Sequence, residues 1–267
     1  MNKNIKKIDI KDLSFLIPLR LDSIDRLENI VLIVDYIVQH FDTNIQILEA
    51  SKFDNGILKK LLPTKTVQIE FVEDHDPIFH RTHYINVLTQ KVITPYCAVW
   101  DADVIVDSTQ LNDSVQILRE GLADFVYPYQ MYFLDVPEII KEHYHETRDI
   151  NILKDNAGKM KKFYYPDPIG GAFLVNREKY IESGLENVKY YGWGIEDGER
   201  LNRWLKLGYK VQRVQGPLFH FSHSRGINSK YLDIKQREIK QNDFFQLGMM
   251  SKKELELEVS KWKKNNM

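Results

Sequence analysis

Two aspartates one residue apart, Asp101-Ala-Asp103, stand directly after the apolar run Tyr96-Cys-Ala-Val-Trp100. A strand that ends this way presents two hard oxygen donors at one sheet edge, where a divalent cation can bridge them to a diphosphate. The plainer alternative is a cap, with one aspartate on the next segment and the other in solvent. His220-Phe-Ser-His223 adds two imidazoles after another apolar stretch. Alone these are ordinary surface or core histidines; joined to carboxylates they form a mixed donor set suited to Mn²⁺ or a similar first-row ion, whereas oxygen ligation alone suits Mg²⁺ or Ca²⁺.

A second acidic pair, Glu196-Asp197, follows Gly192-Trp193-Gly194 where a helix is predicted to begin. Free backbone N–H groups and the helix dipole hold carboxylates ionised at such a point, and the same acids can simply cap the first turn. Trp193, between two glycines and beside two acids, suits stacking on a sugar ring whose hydroxyls the acids grip; a core tryptophan is the alternative. Ile169-Gly170-Gly171-Ala172 either lets the backbone approach a ligand closely or makes a tight turn into a strand. Pro18-Leu-Arg20-Leu-Asp22 offers a fork donor and an acceptor for phosphate and for ribose or base, although Arg20 and Arg26 equally read as solvated charges. Arg81, with Asn86 five residues later, either binds phosphate or decorates a helix.

Alternating elements must position these groups. Leu13 to Pro18 reads as a buried strand, and apolar residues at 24, 27, 30, 31, 34, 37, 38 and 41 predict an amphipathic helix capped by Asp22 or Ser23. Asn44 to Ala50 and Thr66 to Val72 read as strands, with a short helix from Gly56 to Leu62 between them and another helix from Phe79 to Val92. After the Tyr96 to Trp100 strand come a helix around Ser108 to Glu120 and a strand from Asp124 to Pro128. The stretch from Val136 to Pro168, with His143 and His145, reads as an exposed loop or insertion. Regularity returns in a strand after Gly171, a helix from Glu196 to Leu207, strands from Tyr209 to Val214 and Leu218 to His223, and a polar helical tail. This order predicts an α/β fold: a mixed, mainly parallel sheet flanked by helices, with ligands bound beyond the carboxyl ends of its strands.

At 267 residues the chain allows one large domain or two small ones. Without a repeat or a linker the expectation is one domain, a core at about 13–225 and a C-terminal helical extension at 226–267. Lys+Arg total 37 against 38 Asp+Glu, for a formal charge of −1, which argues against nucleic acid as a partner. Hydrophobic residues at 43% and aromatics at 12% exclude disorder and low-complexity sequence. The one cysteine, Cys97, lies in an apolar run and is expected as a buried thiol, so nothing requires an oxidising compartment. Met1 to Asp9 lacks the apolar stretch of a signal peptide, and a cytoplasmic protein is expected. The tail from Ser251 to Met267 holds five lysines against three glutamates together with Leu255, Leu257, Val259 and Trp262. It is expected as a packed or frayed helix, with peripheral contact at the inner face of a membrane as the alternative.

Taken in order, the motifs resemble inverting glycosyltransferases of the GT-A (Rossmann-like) fold, of the β-1,4-galactosyltransferase type and related bacterial polysaccharide glycosyltransferases. The resemblance spans Phe15 to Arg225. Ile17 to Asp22 resembles the family's first nucleotide-binding segment and Arg81 to Asn86 its Arg-x-x-x-x-Asn helix. Trp100 to Ile105 resembles the Asp-x-Asp segment, and Ile169 to Ala172 the Gly-Gly turn near the donor sugar. Most specific are Tyr191-Gly-Trp-Gly-Ile-Glu-Asp197, close to Gly-Trp-Gly-Gly-Glu-Asp, and Phe219 to Arg225, close to the metal-binding His-Ser-Arg segment.

The resemblance implies that Asp103 and His223 ligate Mn²⁺, with His220 at the place of a further ligand and Asp101 at the nucleotide or its metal shell. It implies Asp197 as general base, Glu196 on sugar hydroxyls, and Trp193 in the sugar platform. The implied partners are a UDP-sugar donor and a glycan or lipid-linked acceptor, in bacterial surface polysaccharide synthesis. Ile195 and Gly198 depart from the family pattern, which points to a different acceptor pocket. Two rivals share the fold class: a nucleotidyltransferase, for which no early Gly-rich phosphate loop ahead of a lysine is present, and a sugar- or nucleotide-binding module without turnover.

Overall fold

The first strand and the helix after it set the frame for the site. A computed structural model describes residues 6–164, 166–224 and 226–265, so Arg225 of the resemblance lies outside the described residues. β1 (Ile8–Leu19) extends further back than its apolar run and is buried from Leu13 onward, as a strand covered on both faces must be. In α1 (Ile24–His40) the Ser23 hydroxyl accepts the Arg26 N–H as N-cap, and Ile30, Ile33, Val34 and Ile37 form the buried stripe. β2 (Phe41–Ser51), α2 (Ile57–Leu61), β3 (Val67–Glu73), α3 (Arg81–Lys91) and β4 (Tyr96–Trp100) follow as the sequence predicts. The second half contains β5 (Val104–Ile105), α4 (Ser108–Arg119), β6 (Phe125–Tyr127), β7 (Phe133–Val136), α5 (Glu138–Thr147), α6 (Ile150–Asp155) and β8 (Lys161–Phe163). Then come β9 (Ala172–Asn176), α7 (Arg177–Glu182), α8 (Glu196–Leu207), β10 (Val211–Arg213), β11 (Leu218–Phe221), α9 (Ile234–Met249) and α10 (Lys252–Asn265).

The large sheet runs β10-β6-β9-β4-β1-β2-β3. It is parallel except at β9, which lies antiparallel between β4 and β6. This is the mixed, mainly parallel sheet flanked by helices that the alternation predicts. A second, small sheet, β5-β11-β7-β8, stands beside it. One buried apolar cluster joins the strands to the helices, and Cys97 lies within it, its thiol pushed up to about 12 by burial.

The stretch from Val136 to Pro168 is not simply an exposed loop. Ile140, Tyr144, Leu153 and Met160 are buried, and α5, α6 and β8 hold them against the small sheet. His143 and His145 do face solvent, on α5. In the tail, Leu255, Val259 and Trp262 are buried in a cluster with Leu247, packed by Leu207 and Met250. The apolar residues considered for membrane contact therefore turn inward, leaving Leu257 exposed. Among the described residues no helix is long and apolar enough to cross a membrane.

Candidate active site

A cleft of about 550 Å³ opens beyond the carboxyl ends of β1 and β4, and most of the side chains and glycines singled out for chemistry in the sequence line it, Asn86 and Gly192 excepted. Pro18, Arg20 and Asp22 come from the end of β1, Arg81 from the start of α3, Asp101 and Asp103 from the end of β4. Gly170 and Gly171 precede β9; Trp193, Gly194, Glu196 and Asp197 form the entry to α8; His220 and His223 come from β11 and the segment after it.

Asp103, His220 and His223 each offer one ligand atom within 4.8 Å of the others. Nε2 of His223 lies 3.2 Å and Nε2 of His220 3.9 Å from Asp103 Oδ2. Each imidazole turns its Nε2 inward because its Nδ1 is engaged elsewhere: His220 with Asp135 Oδ1 at 2.9 Å, His223 with the Ser224 carbonyl at 2.9 Å. Asp135 is pinned in turn by the Ser222 hydroxyl at 2.8 Å, and β7 pairs with β11 so that Asp135 lies opposite His220. Such outer partners set the tautomer of a metal-binding histidine. Burial pushes the Asp103 carboxyl up, but the imidazoles of His220 and His223 and the guanidinium of Arg26 reverse this and hold it at about 2. One carboxylate and two outward-bonded imidazoles in this spacing fit a first-row divalent cation.

Asp101 is placed differently from Asp103. Its Oδ1 accepts from Arg81 Nε at 3.0 Å and Nη2 at 2.6 Å, and its N–H donates to the Gly171 carbonyl at 2.8 Å, locking the Gly-Gly turn to the end of β4. Burial nevertheless leaves the Asp101 carboxyl above its ordinary range. Asn86 faces away from the cleft, exchanging side-chain bonds of 2.9 and 2.8 Å with the backbone of Glu186. Arg20, read in the sequence as a phosphate donor, is spent inside the protein: Nε donates to the Ala50 carbonyl at 3.1 Å, Nη1 to the Asp76 carbonyl at 2.7 Å, and Nη2 to the Asp74 carboxylate. It shapes the cleft wall beside Phe79, 5.5 Å from the ring centre. Asp22, read as an acceptor for ribose or base, pairs with Arg26 at 2.9 Å and stays 42% exposed at its side chain.

Across the cleft, Asp197 Oδ1 accepts from Arg200 Nη2 at 2.6 Å. Arg200 is fully buried, bonded also to Glu186 Oε2 at 2.9 Å and stacked on Phe173 at 4.0 Å. Asp197 Oδ2 is left over the Gly170 backbone, where an added Cβ would meet it at 2.8 Å. That approach is what Gly170 permits, and a Gly170→Ala substitution must displace the carboxylate. Turnover should fall several-fold or more with nucleotide affinity retained, measured by steady-state kinetics beside titration; equal loss of both would show a collapsed cleft instead. Glu196 is raised to about 7 by burial and then by the charge of Asp197, with Arg81 opposing. Its Oε2 is buried and has no protein partner among the described residues.

The Gly-Trp-Gly segment is held from α9 and the residues just before it. Lys240, buried on α9, donates to the Trp193 carbonyl at 2.8 Å, and Gln236 to the Tyr191 carbonyl at 3.2 Å. Tyr231 packs edge-on against the Trp193 ring at 5.2 Å and lies so close that a Cβ on Gly194 would strike its ring at 2.8 Å. Ile195, where the family pattern has glycine, has φ of 76°, a conformation β-branched residues rarely adopt. Asp135, Lys240 and Tyr231 carried no sequence signal. Arg200 did: three residues after Asp197 on a predicted helix, it was within reach of it.

Residues 156–225 match the family model for the N-terminal domain of galactosyltransferase. Beta-1,4-galactosyltransferase 7 of Drosophila melanogaster is 35% identical over 74 residues, 26% of this chain and 22% of that protein, so the match spans about a fifth of the curated relative. The crystal structure of the catalytic domain of Drosophila beta1,4galactosyltransferase 7 with xylobiose has a TM-score of 0.53 and 19% identity, covering 86% of this chain and 79% of that one. A mutant of the same enzyme in complex with manganese, UDP-Gal and xylobiose gives the same TM-score of 0.53 and identity of 19% over the same shares, 86% and 79%. GalNAc-T7 with UDP, GalNAc and Mn²⁺ has a TM-score of 0.58 and 12% identity, over 95% of this chain and 54% of that one. The structural likenesses are of fold, and the sequence match falls on the segment that carries Gly170, Gly171, Trp193, Asp197 and His223. The chain thus has the GT-A fold, and over residues 156–225 it is similar in sequence to galactosyltransferases.

Proposed function

We propose that the protein is a metal-dependent inverting glycosyltransferase that moves a hexose or N-acetylhexosamine from a UDP-sugar to a hydroxyl of a glycan acceptor. The observation that carries the reading is the placement of two unlike chemistries on one cleft: a carboxylate and two imidazoles converging within 4.8 Å, and Asp197 with one oxygen held by Arg200 and the other left over Gly170. Asp103, His220 and His223 would hold Mn²⁺, and the ion when bound supplies positive charge to the departing diphosphate. Asp197 Oδ2 takes the acceptor hydroxyl proton while that oxygen attacks the anomeric carbon, and Glu196 binds hydroxyls of the sugars. Attack and departure on opposite faces in a single displacement invert the anomeric centre.

The solved relatives bound to UDP-Gal, manganese and xylobiose, and to UDP, GalNAc and Mn²⁺, support this donor and metal. The acceptor differs with Ile195 and Tyr231 at the sugar platform. A growing bacterial surface glycan or a lipid-linked glycan, extended in the cytoplasm or at the inner face of the membrane, is the class we assign on the sequence resemblance. The test is transfer from a panel of UDP-sugars to a panel of saccharide acceptors with Mn²⁺, with product stereochemistry read by NMR. A product of inverted anomeric configuration is expected from an α-linked donor; retained configuration would overturn the mechanism. Pyrophosphate release from nucleoside triphosphate and sugar phosphate, without transfer, would move the chain to the nucleotidyltransferases.

A further inference from the structure

Three arginines are the cationic side chains, histidines aside, among the described residues that line the cleft: Arg20, Arg26 and Arg81. The first has no donor to give, and the last keeps a single buried one. Arg20 spends all three nitrogens on Asp74 and two backbone carbonyls. Arg81 places Nε and Nη2 on Asp101, and its Nη1 is buried with no hydrogen-bond partner among the described residues. Arg26 differs. Its Nε is held by Asp22 Oδ1 at 2.9 Å, which fixes the side chain while neither terminal nitrogen has a hydrogen-bond partner among the described residues. The side chain is 19% exposed, and neither Nη is among the buried unpaired atoms.

Its position is set from both sides of the site. The Arg26 N–H caps onto Ser23, and the neighbouring Asp25 Oδ2 accepts the Ser224 N–H at 3.0 Å, tying the start of α1 to the segment that carries His223. Arg26 and the triad of Asp103, His220 and His223 line the same cleft. A divalent ion on one carboxylate and two neutral imidazoles already leaves an excess of positive charge. A second cation beside it is favourable only when a multiply charged anion occupies the space between them.

We infer that Arg26 is the side chain that grips the diphosphate of the bound nucleotide, presenting its two terminal nitrogens toward the metal-binding triad while Asp22 holds its Nε. This inference rests on the nucleotide-sugar reading of the cleft. It assigns Asp22 a positioning role in place of direct contact with ribose or base. A guanidinium fork suits this task better than an ammonium because two parallel N–H donors match two phosphate oxygens.

The experiment is calorimetric titration of UDP and of uridine into the full-length protein with saturating Mn²⁺, for wild type, Arg26→Gln and Arg26→Lys. Loss of two hydrogen bonds to a charged group should weaken UDP by about 10- to 100-fold in Arg26→Gln. Uridine affinity should stay the same, and Arg26→Lys should fall between. Uridine serves as the check on folding, because a damaged cleft loses both ligands. If wild type and Arg26→Gln bind UDP equally, the assignment of Arg26 is overturned and the reading of the cleft stands. Equal losses of UDP and uridine would also overturn it. Wild-type protein that binds no UDP would remove the nucleotide-sugar reading and this inference with it.

Discussion

Asp197→Asn should leave UDP affinity unchanged and lower sugar transfer by about 10²- to 10⁴-fold, the contribution of a positioned general base. The substitution is informative because its surroundings tolerate it. An asparagine oxygen can still accept from Arg200 Nη2, and Arg200 keeps its bond to Glu186 Oε2, so the buried guanidinium is not stranded. Only the ability of the second oxygen over Gly170 to take a proton is lost. Paired measurement of transfer rate and of UDP binding checks this. Transfer at the wild-type rate would shift the base role to Glu196, whose carboxyl, raised to about 7, is the nearest alternative.

The second large effect is expected at Asp103. Asp103→Ala removes the only carboxylate of the triad and leaves two neutral imidazoles, a set with little hold on Mn²⁺. Nucleotide affinity measured with Mn²⁺ should then drop to the value measured in EDTA. The loss should exceed that of Asp135→Asn, which disturbs only the orientation of His220 and should cost about 10- to 100-fold in metal affinity. Equal UDP affinity with Mn²⁺ and with chelator in the wild type would dismiss the metal site altogether, and a wild-type metal response surviving in Asp103→Ala would place the ion elsewhere.

The elements of the large sheet were legible because their sequences are one-sided. Tyr96 to Trp100 is uniformly apolar and then stops at two acids, and the structure buries the first and brings the second to the cleft. The small sheet was legible only at β11, which falls within the predicted Leu218 to His223 strand. Its strands are two to four residues long, and α5 offers little more than Ile140 and Tyr144 among charged neighbours. Asp135 gains its role only when β7 lands beside β11, a pairing between distant parts of the chain that no local pattern reports. Arg20 shows the opposite failure. Its type and place after β1 suit a phosphate, but Asp74, carried in after β3, takes the fork first. Residue type named the chemistry available, and long-range pairing decided which groups were free to use it.

The antiparallel insertion of β9 also orders the assembly of the molecule. β1 to β4 follow one another closely in the chain and can pair as they are synthesised, but β4 then stands as a bare edge of Tyr96, Cys97, Ala98, Val99 and Trp100 until β9 arrives. An unpaired apolar edge of this kind recruits other chains. A nascent or truncated polypeptide ending before Ala172 therefore carries an adhesive margin at its centre, and the strand that seals it is the one that brings the Gly-Gly turn to Asp101. Protection from self-association and completion of the cleft are accomplished by the same late event in biogenesis.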